Sequence, residues 1–277
     1  MARAVTLGNG NILVGLDYRG LVRDFYFPYV GHANHVSGAS GNYLHRIGVF
    51  VDDTVSWLDE PDWQVSIGCQ PETVVGSLKA VNERLQVTLE SVDVVHNEHN
   101  AFIRSLTLTN TGKQSRAFTI FFSQQFRIAE SRRGDTGFYD PRVKAILHYK
   151  GTDTFLVNAF CGEQQFSEYN IGLFGIEGRE GTWHDASDGV LEKNPIEHGS
   201  VDSVIGMNAD VKAGKSAQFS YWIAAGHTVA EVHDLDAVIR EETPERLRRS
   251  TENYWSAWIE KEDTDLSPLS AELQTLY

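Results

Sequence analysis

From residue 7 to about residue 225, apolar positions recur every second residue in short runs, the spacing of half-buried strands. Trp63, Val65, Ile67 and Cys69 alternate with Gln64, Ser66 and Gly68, and residues 85–89 and 102–108 repeat the pattern. Runs at 12–16 and 21–27 flank Asp17-Tyr18-Arg19-Gly20, whose closing glycine tolerates positive φ, which predicts a hairpin. A second hairpin is predicted where 45–51 and 54–58 flank Asp52-Asp53. Further turns are read at 110–113, 150–153 and 213–215, between apolar runs at 105–109, 117–126, 145–149, 154–159 and 217–225. Many closely spaced strands without a helical period predict a mainly β fold, an antiparallel β-sandwich. No fixed-period repeat is visible, which points away from a propeller or solenoid.

The period changes at Thr228. Thr228-Val229-Ala230-Glu231 fits a capping box and predicts a helix to about Arg240. Thr243 as N-cap and Pro244 at the first helical position predict a second helix. In it Leu247, Tyr254, Trp255, Trp258 and Ile259 share one face. After a polar break at 261–265, Ser267-Pro268 opens a third, with Leu269, Leu273 and Leu276 as an apolar stripe. No stop signal precedes Tyr277, so the expectation is a chain that ends inside the first helix of a further domain, with the leucine stripe facing it. The expected division is a β domain over 1–227, a helical linker over 228–265 and the start of another helical domain over 266–277. An isolated chain exposing that stripe is expected to self-associate or to carry a disordered tail.

Charge and composition narrow the partners. The chain has 277 residues and a formal net charge of -14. Such an acidic chain repels phosphate backbones and anionic membrane surfaces, so neither nucleic acid nor membrane is an expected partner, whereas neutral sugars remain open. Cys69 and Cys161 read as reduced thiols. No apolar run approaches the ~20 residues that span a bilayer. The first residues lack an apolar signal core, so the expected location is the cytoplasm.

The loop after the first hairpin is dense in aromatic and imidazole groups. Alternation assigns Phe25 and Phe27 to the core and leaves Tyr26, Tyr29, His32, Asn34 and His35 as candidates for contact with a sugar or a neighbouring domain; the last four are expected exposed. His96-Asn97-Glu98-His99-Asn100 has two imidazoles but lacks the H-E-x-x-H spacing and two further ligands, so it reads as a hairpin tip, not a zinc site. Residues 127–141 read as a solvated loop anchored by Phe138 and Tyr139; Asp135 and Asp140 are too sparse to argue for calcium. Residues 183–185 and 194–200 read as irregular. The 38 acidic residues single out no acid or base pair. With no G-x-S-x-G, P-loop, G-x-G-x-x-G or C-x-x-C, residue chemistry alone describes a non-catalytic β-sandwich without a cofactor or metal.

Several long blocks carry a resemblance. LGNGNILVGLDYRGLVRDFYFPYVGHANH (7–35), HRIGVFVDDTVSWL (45–58), GDTGFYDPRVKAILHYKGTDTFLVNA (134–159) and NPIEHGSVDSVIG (194–206) occur in the order found in the N-terminal region of glycoside hydrolase family 15 proteins of bacteria and archaea. These are glucoamylase-, glucodextranase- and trehalase-type enzymes. The resemblance implies a large antiparallel β-supersandwich, galactose mutarotase-like, followed by linker helices and a catalytic barrel of paired helices. It implies that both catalytic glutamates lie in that barrel and that no residue of this chain is catalytic. The implied role is to stabilise and shape a barrel that hydrolyses α-glucosidic bonds with inversion, releasing glucose from α-glucan oligosaccharides. Two alternatives stand beside it. One is an independent lectin-like module using Tyr29 and His32; the other is a mutarotase-like epimerase with His96 or His99 as acid and a Glu as base.

Overall fold

The computed structural model describes residues 3–36, 45–71, 73–131, 133–176, 178–259, 267–270 and 273. The chain first forms β1 (Val5–Gly8), β2 (Leu13–Leu16), β3 (Val22–Tyr26), β4 (Arg46–Val51), β5 (Thr54–Trp57) and β6 (Gln64–Cys69). There follow β7 (Gly76–Asn82), β8 (Val87–Val95), β9 (Ala101–Asn110), β10 (Arg116–Gln125), β11 (Asp135–Asp140), β12 (Ala145–Lys150) and β13 (Asp153–Cys161). The last strands are β14 (Gln164–Gln165), β15 (Glu168–Ile176), β16 (Arg179–Glu180), β17 (Ile196–Gly199), β18 (Val201–Val211) and β19 (Ser216–Gly226). Among the described residues, the helices α1 (Val229–Glu242) and α2 (Pro244–Ile259) follow.

Among the described residues the pairing is antiparallel and builds three sheets. The largest runs β17-β11-β12-β13-β19-β9-β8-β7-β6, with β14 on β13; a second runs β16-β15-β18-β10-β4-β5; the third is β1-β2-β3. The main core lies between them. Phe155, Val157, Phe219 and Ile223 of the large sheet meet Phe118, Ile120 and Phe122 of the second and Val14, Leu16 and Phe25 of the third. The large sheet is buried on its other face as well: Leu156, Trp222 and Ala224 point to the opposite side, where Val232, Ile239 and Leu247 of the helices cover them. A strand buried on both faces reads as an apolar run rather than clean alternation, as in residues 219–225.

The expected hairpins form. Asp52 and Asp53 take φ 51 and 56 between β4 and β5, and Gly20 takes φ 74 between β2 and β3. The carbonyl of Gly20 accepts from Nη2 of Arg104 (2.9 Å), and Arg104 also makes a two-pronged contact with Asp93 (2.8 and 2.7 Å), tying the hairpin to the large sheet. Two stretches expected as loop differ. Residues 135–140 are strand β11 and 196–199 are strand β17, because each finds a neighbouring edge that local sequence does not reveal. β1, β7, β15 and β18 also go beyond the expected strands. In β18, buried Asp202 and Ser203 and small Gly206 break the alternation; a Cβ at Gly206 would sit 2.8 Å from the Phe121 ring.

The helix starts follow the sequence closely. Thr228 accepts from the Glu231 N–H (3.1 Å), while the Glu231 carboxylate accepts from His227 N–H (2.6 Å), one residue earlier than a capping box requires. Asp236 of α1 is buried and accepts from Trp222 Nε1 (3.0 Å) and Asn158 Nδ2 (2.8 Å), which bolts the helix to β19 and β13. Residues 267–270 form a turn; most of the expected third helix, including Leu276, lies outside the described residues.

Candidate functional site

The aromatic loop divides into a buried half and an exposed tip. Phe25 and Phe27 are buried against Phe155, with ring centroids 5.4 and 6.2 Å away. Asn34 and His35, expected at the surface, are buried instead. The chain doubles back after the tip, so that Asn34 pairs with Tyr26 across a β-bridge. The Asn34 side chain accepts from Phe25 N–H (3.0 Å) and Val36 N–H (3.2 Å) and donates to Asp24 (2.6 Å). His35 Nε2 donates to the Phe27 carbonyl (3.0 Å), and Nδ1 accepts from Ala129 N–H (3.2 Å), so the ring is the neutral Nε2–H tautomer. Burial pushes its pKa down, in the same direction. Both residues complete backbone hydrogen bonding that water cannot reach.

A turn after β10 closes this arrangement. Ala129 and Glu130 both lie in the left-handed region, at φ 55 and 56. Consecutive non-glycine residues there are strained and need surrounding support. The support is reciprocal: Asn34 N–H donates to Glu130 (3.0 Å), and Arg127 N–H to the His35 carbonyl (2.6 Å). Behind the turn, Lys150 contacts Asp135 (3.1 Å) and the Ile128 carbonyl (3.3 Å). Burial raises the Asp135 carboxyl to about 6, against the pull of Lys150. Asp140 is held low by Arg142, which contacts it at 2.6 Å. Each carboxylate considered for calcium thus has its own protein cation.

What remains outside is small. Tyr29 is 55% exposed, and its ring meets His32 edge-on at 5.3 Å, while Val30 and Gly31 complete the tip. Tyr26 is half-buried beside it. This tip offers an aromatic face and an imidazole.

The helices carry a larger apolar surface. On α2, Leu247 and Thr251 are buried against the large sheet, whereas Tyr254 and Trp258 on the same face are 46% and 56% exposed. Tyr254, Trp255 and Trp258 form a chain of edge-on rings, 5.2 and 6.0 Å apart. Leu269 and Leu273 are exposed.

Other singled-out residues serve structure. His96 Nδ1 accepts from the Glu98 and His99 amides (3.2 and 3.0 Å) and stacks on His99 at 4.7 Å, holding the β8–β9 hairpin tip. Burial pushes its pKa down to about 4. Among the described residues, no group of three or more His, Cys, Asp or Glu is arranged to hold a metal. Trp183, in a 3-10 helix (Thr182–Asp188), packs edge-on against Trp57 at 6.1 Å under the Arg46 guanidinium. Sequence reasoning missed His45 and His148, both flanking Phe126 in the core and both pushed down to about 3 by burial. His148 Nε2 donates to Ser203 (2.8 Å), which donates to Gln124 (3.0 Å). These residues sit in ordinary strand contexts, so no local motif marks them.

No known family profile matches the chain. Over 262 residues it is 22% identical to an uncharacterized glycosyl hydrolase of Methanocaldococcus jannaschii, covering 90% of this chain and 38% of that protein. A bacterial glucoamylase complexed with acarbose superposes with a TM-score of 0.73 at 9% identity, over 93% of this chain and 37% of that one. An α-mannosidase of Bacteroides thetaiotaomicron superposes at 0.51, with 11% identity, over 92% and 35%. These likenesses show a shared fold, mainly β and built of antiparallel sheets. The chain spans little more than a third of each of these proteins. Among the described residues, no helix is long and apolar enough to cross a membrane.

Proposed function

We propose that this chain is the non-catalytic N-terminal domain of a glucoamylase-like hydrolase of glycoside hydrolase family 15. Its partner is a catalytic (α/α) barrel of the same protein, and α-glucan oligosaccharides are substrates of the whole enzyme. The observation that carries this reading is the superposition on bacterial glucoamylase, which takes in 93% of this chain but only 37% of that one. The barrel supplies both carboxylates: an acid for the leaving oxygen and a base for the attacking water, about 6.5–9.5 Å apart in an inverting enzyme. The β domain supplies a rigid platform. Its linker is α1 and α2, with Leu269 and Leu273 at the start of the first barrel helix. The exposed rings of Tyr254 and Trp258, and the tip at Tyr29 and His32, are the surfaces that meet the barrel or frame its substrate entrance.

The test is an activity assay of the 277-residue chain. On maltose, isomaltose, trehalose and short dextrins it releases no glucose, whereas a protein extended through the coding sequence after Tyr277 does. Glucose release by the chain alone, or an extension that encodes no helical barrel, overturns the proposal.

A further inference from the structure

A second surface lies on the outer face of the large sheet. An open groove of about 870 Å³ runs between β19, the end of β13 and helix α1. That volume falls within the ~300–1,000 Å³ of small-ligand clefts. Strand alternation puts Gln218, Ser220 and Trp222 of β19 on the groove side, and the helical period puts His233, Asp236, Ala237, Arg240 and Glu241 of α1 on the facing side.

The lining has two parts. The floor is apolar: Val143 and Phe160, with Phe160 stacked on buried Trp222 (centroids 5.6 Å apart, planes 8° apart). The rim is polar. Arg240 pairs with Asp236 (3.6 Å) and holds its guanidinium over the Phe160 ring at 5.6 Å. Among the described residues, the side chains of Glu163, Gln218 and Glu241 make no hydrogen bond or ion pair with protein. The walls are preformed, because Asp236 is held by Trp222 and Asn158 and so fixes the spacing of helix and sheet. A preformed cleft loses little freedom on binding.

We propose that this groove is a binding site for a neutral pyranoside. An apolar floor suits the C–H face of a sugar ring. A rim mixing a donor-only guanidinium, acceptor-only carboxylates and the two-way groups of Gln218 and Ser220 suits hydroxyls, which donate and accept. Charge selects against anionic ligands: Glu163, Glu241 and Glu245 line the groove, while Arg240 is paired with the buried Asp236 (3.6 Å), so phosphorylated or carboxylated sugars are repelled. The site requires no residue of a partner domain and stands apart from the proposed role above.

The experiment is calorimetric titration of the 277-residue chain with methyl α-glucoside, maltose and glucose 6-phosphate. The expected result is saturable millimolar binding of the neutral sugars, with glucose 6-phosphate at least about tenfold weaker. A double variant, Glu163→Ala with Gln218→Ala, alters two exposed, unbonded side chains and is expected to keep the parent unfolding midpoint while weakening the sugars about tenfold. Phe160→Leu keeps an apolar floor and reports the contribution of the ring, with an expected several-fold loss. Three results overturn the proposal: no saturable binding of either neutral sugar, parent affinity in the double variant, or binding abolished by Tyr29→Ala instead. None of them bears on the partner-domain role, which is read by glucose release.

Discussion

Two aromatic stretches, the loop around Tyr29 and helix α2, look alike in sequence and behave in opposite ways. In the loop, the polar residues Asn34 and His35 went inside and the tip stayed out. In the helix, the first half of the apolar face went inside and the aromatic second half stayed out. The difference teaches that residue type decided neither case. Asn34 and His35 are buried because two backbone segments, 25–36 and 127–130, need their side chains to satisfy amides and carbonyls. Tyr254 and Trp258 are exposed despite their size, because the described part of the sheet reaches Leu247 and Thr251 but offers them no cover.

The comparison is broken most directly by His35→Ala. It orphans the Phe27 carbonyl and the Ala129 amide and leaves a void beside Phe155, so a loss of about 4 kcal/mol is expected in urea unfolding. Tyr29→Ala, six residues earlier, is expected to stay within about 0.5 kcal/mol. Equal effects would mean that the loop is not divided as described. On the helix, Leu247→Ala is expected to cost about 3 kcal/mol by the same measurement.

Acid probes the core behind both regions. Folding lowers the pKa of His45 and His148 from 6.5 to about 3, so the unfolded chain binds more protons below about pH 6.5. Their contribution is fully present above that pH and is lost as pH falls toward 3. Asp135 and Asp202 act oppositely: burial raises them from 3.8 to about 6, so protonation favours the fold as pH falls through 6. The histidine shifts span the wider interval, and the urea midpoint is expected to fall between about pH 7 and pH 4.5. A midpoint that rises over that range would contradict the neutral imidazoles assigned here.

The smallest expected effect on stability, and the sharpest on association, belongs to Trp258→Ser. Thermal unfolding is expected to move by less than about 0.5 kcal/mol, since over half of the side chain is already in water. Self-association of the isolated chain, followed by sedimentation, is expected to weaken, because an exposed apolar patch is the feature removed. An unchanged association would shift attention to Leu269 and Leu273.

Much of the architecture was legible beforehand. Hairpin turns at Asp52-Asp53 and Gly20, and caps at Thr228 and Thr243, follow from φ preferences and short-range hydrogen bonds that neighbouring residues decide. β11 and β17 were not, because each is a strand only through its partner. The loop was found by its composition, but its division into core and tip was not, since Asn34 and His35 bond to residues up to 96 positions away. The groove beneath α1 carried no motif, because it joins alternate positions of one strand with a stripe of a helix.

The sequence by itself therefore determined several hairpin turns, the two helix starts and a mainly β chain with helices after the strands. These depend on side-chain period and local capping, which act within a few residues. Only the tertiary structure decided which polar groups are buried, which aromatics face water, and which carboxylates already hold a protein cation. Those outcomes depend on partners brought together across the chain, where every buried hydrogen-bonding group must find a match.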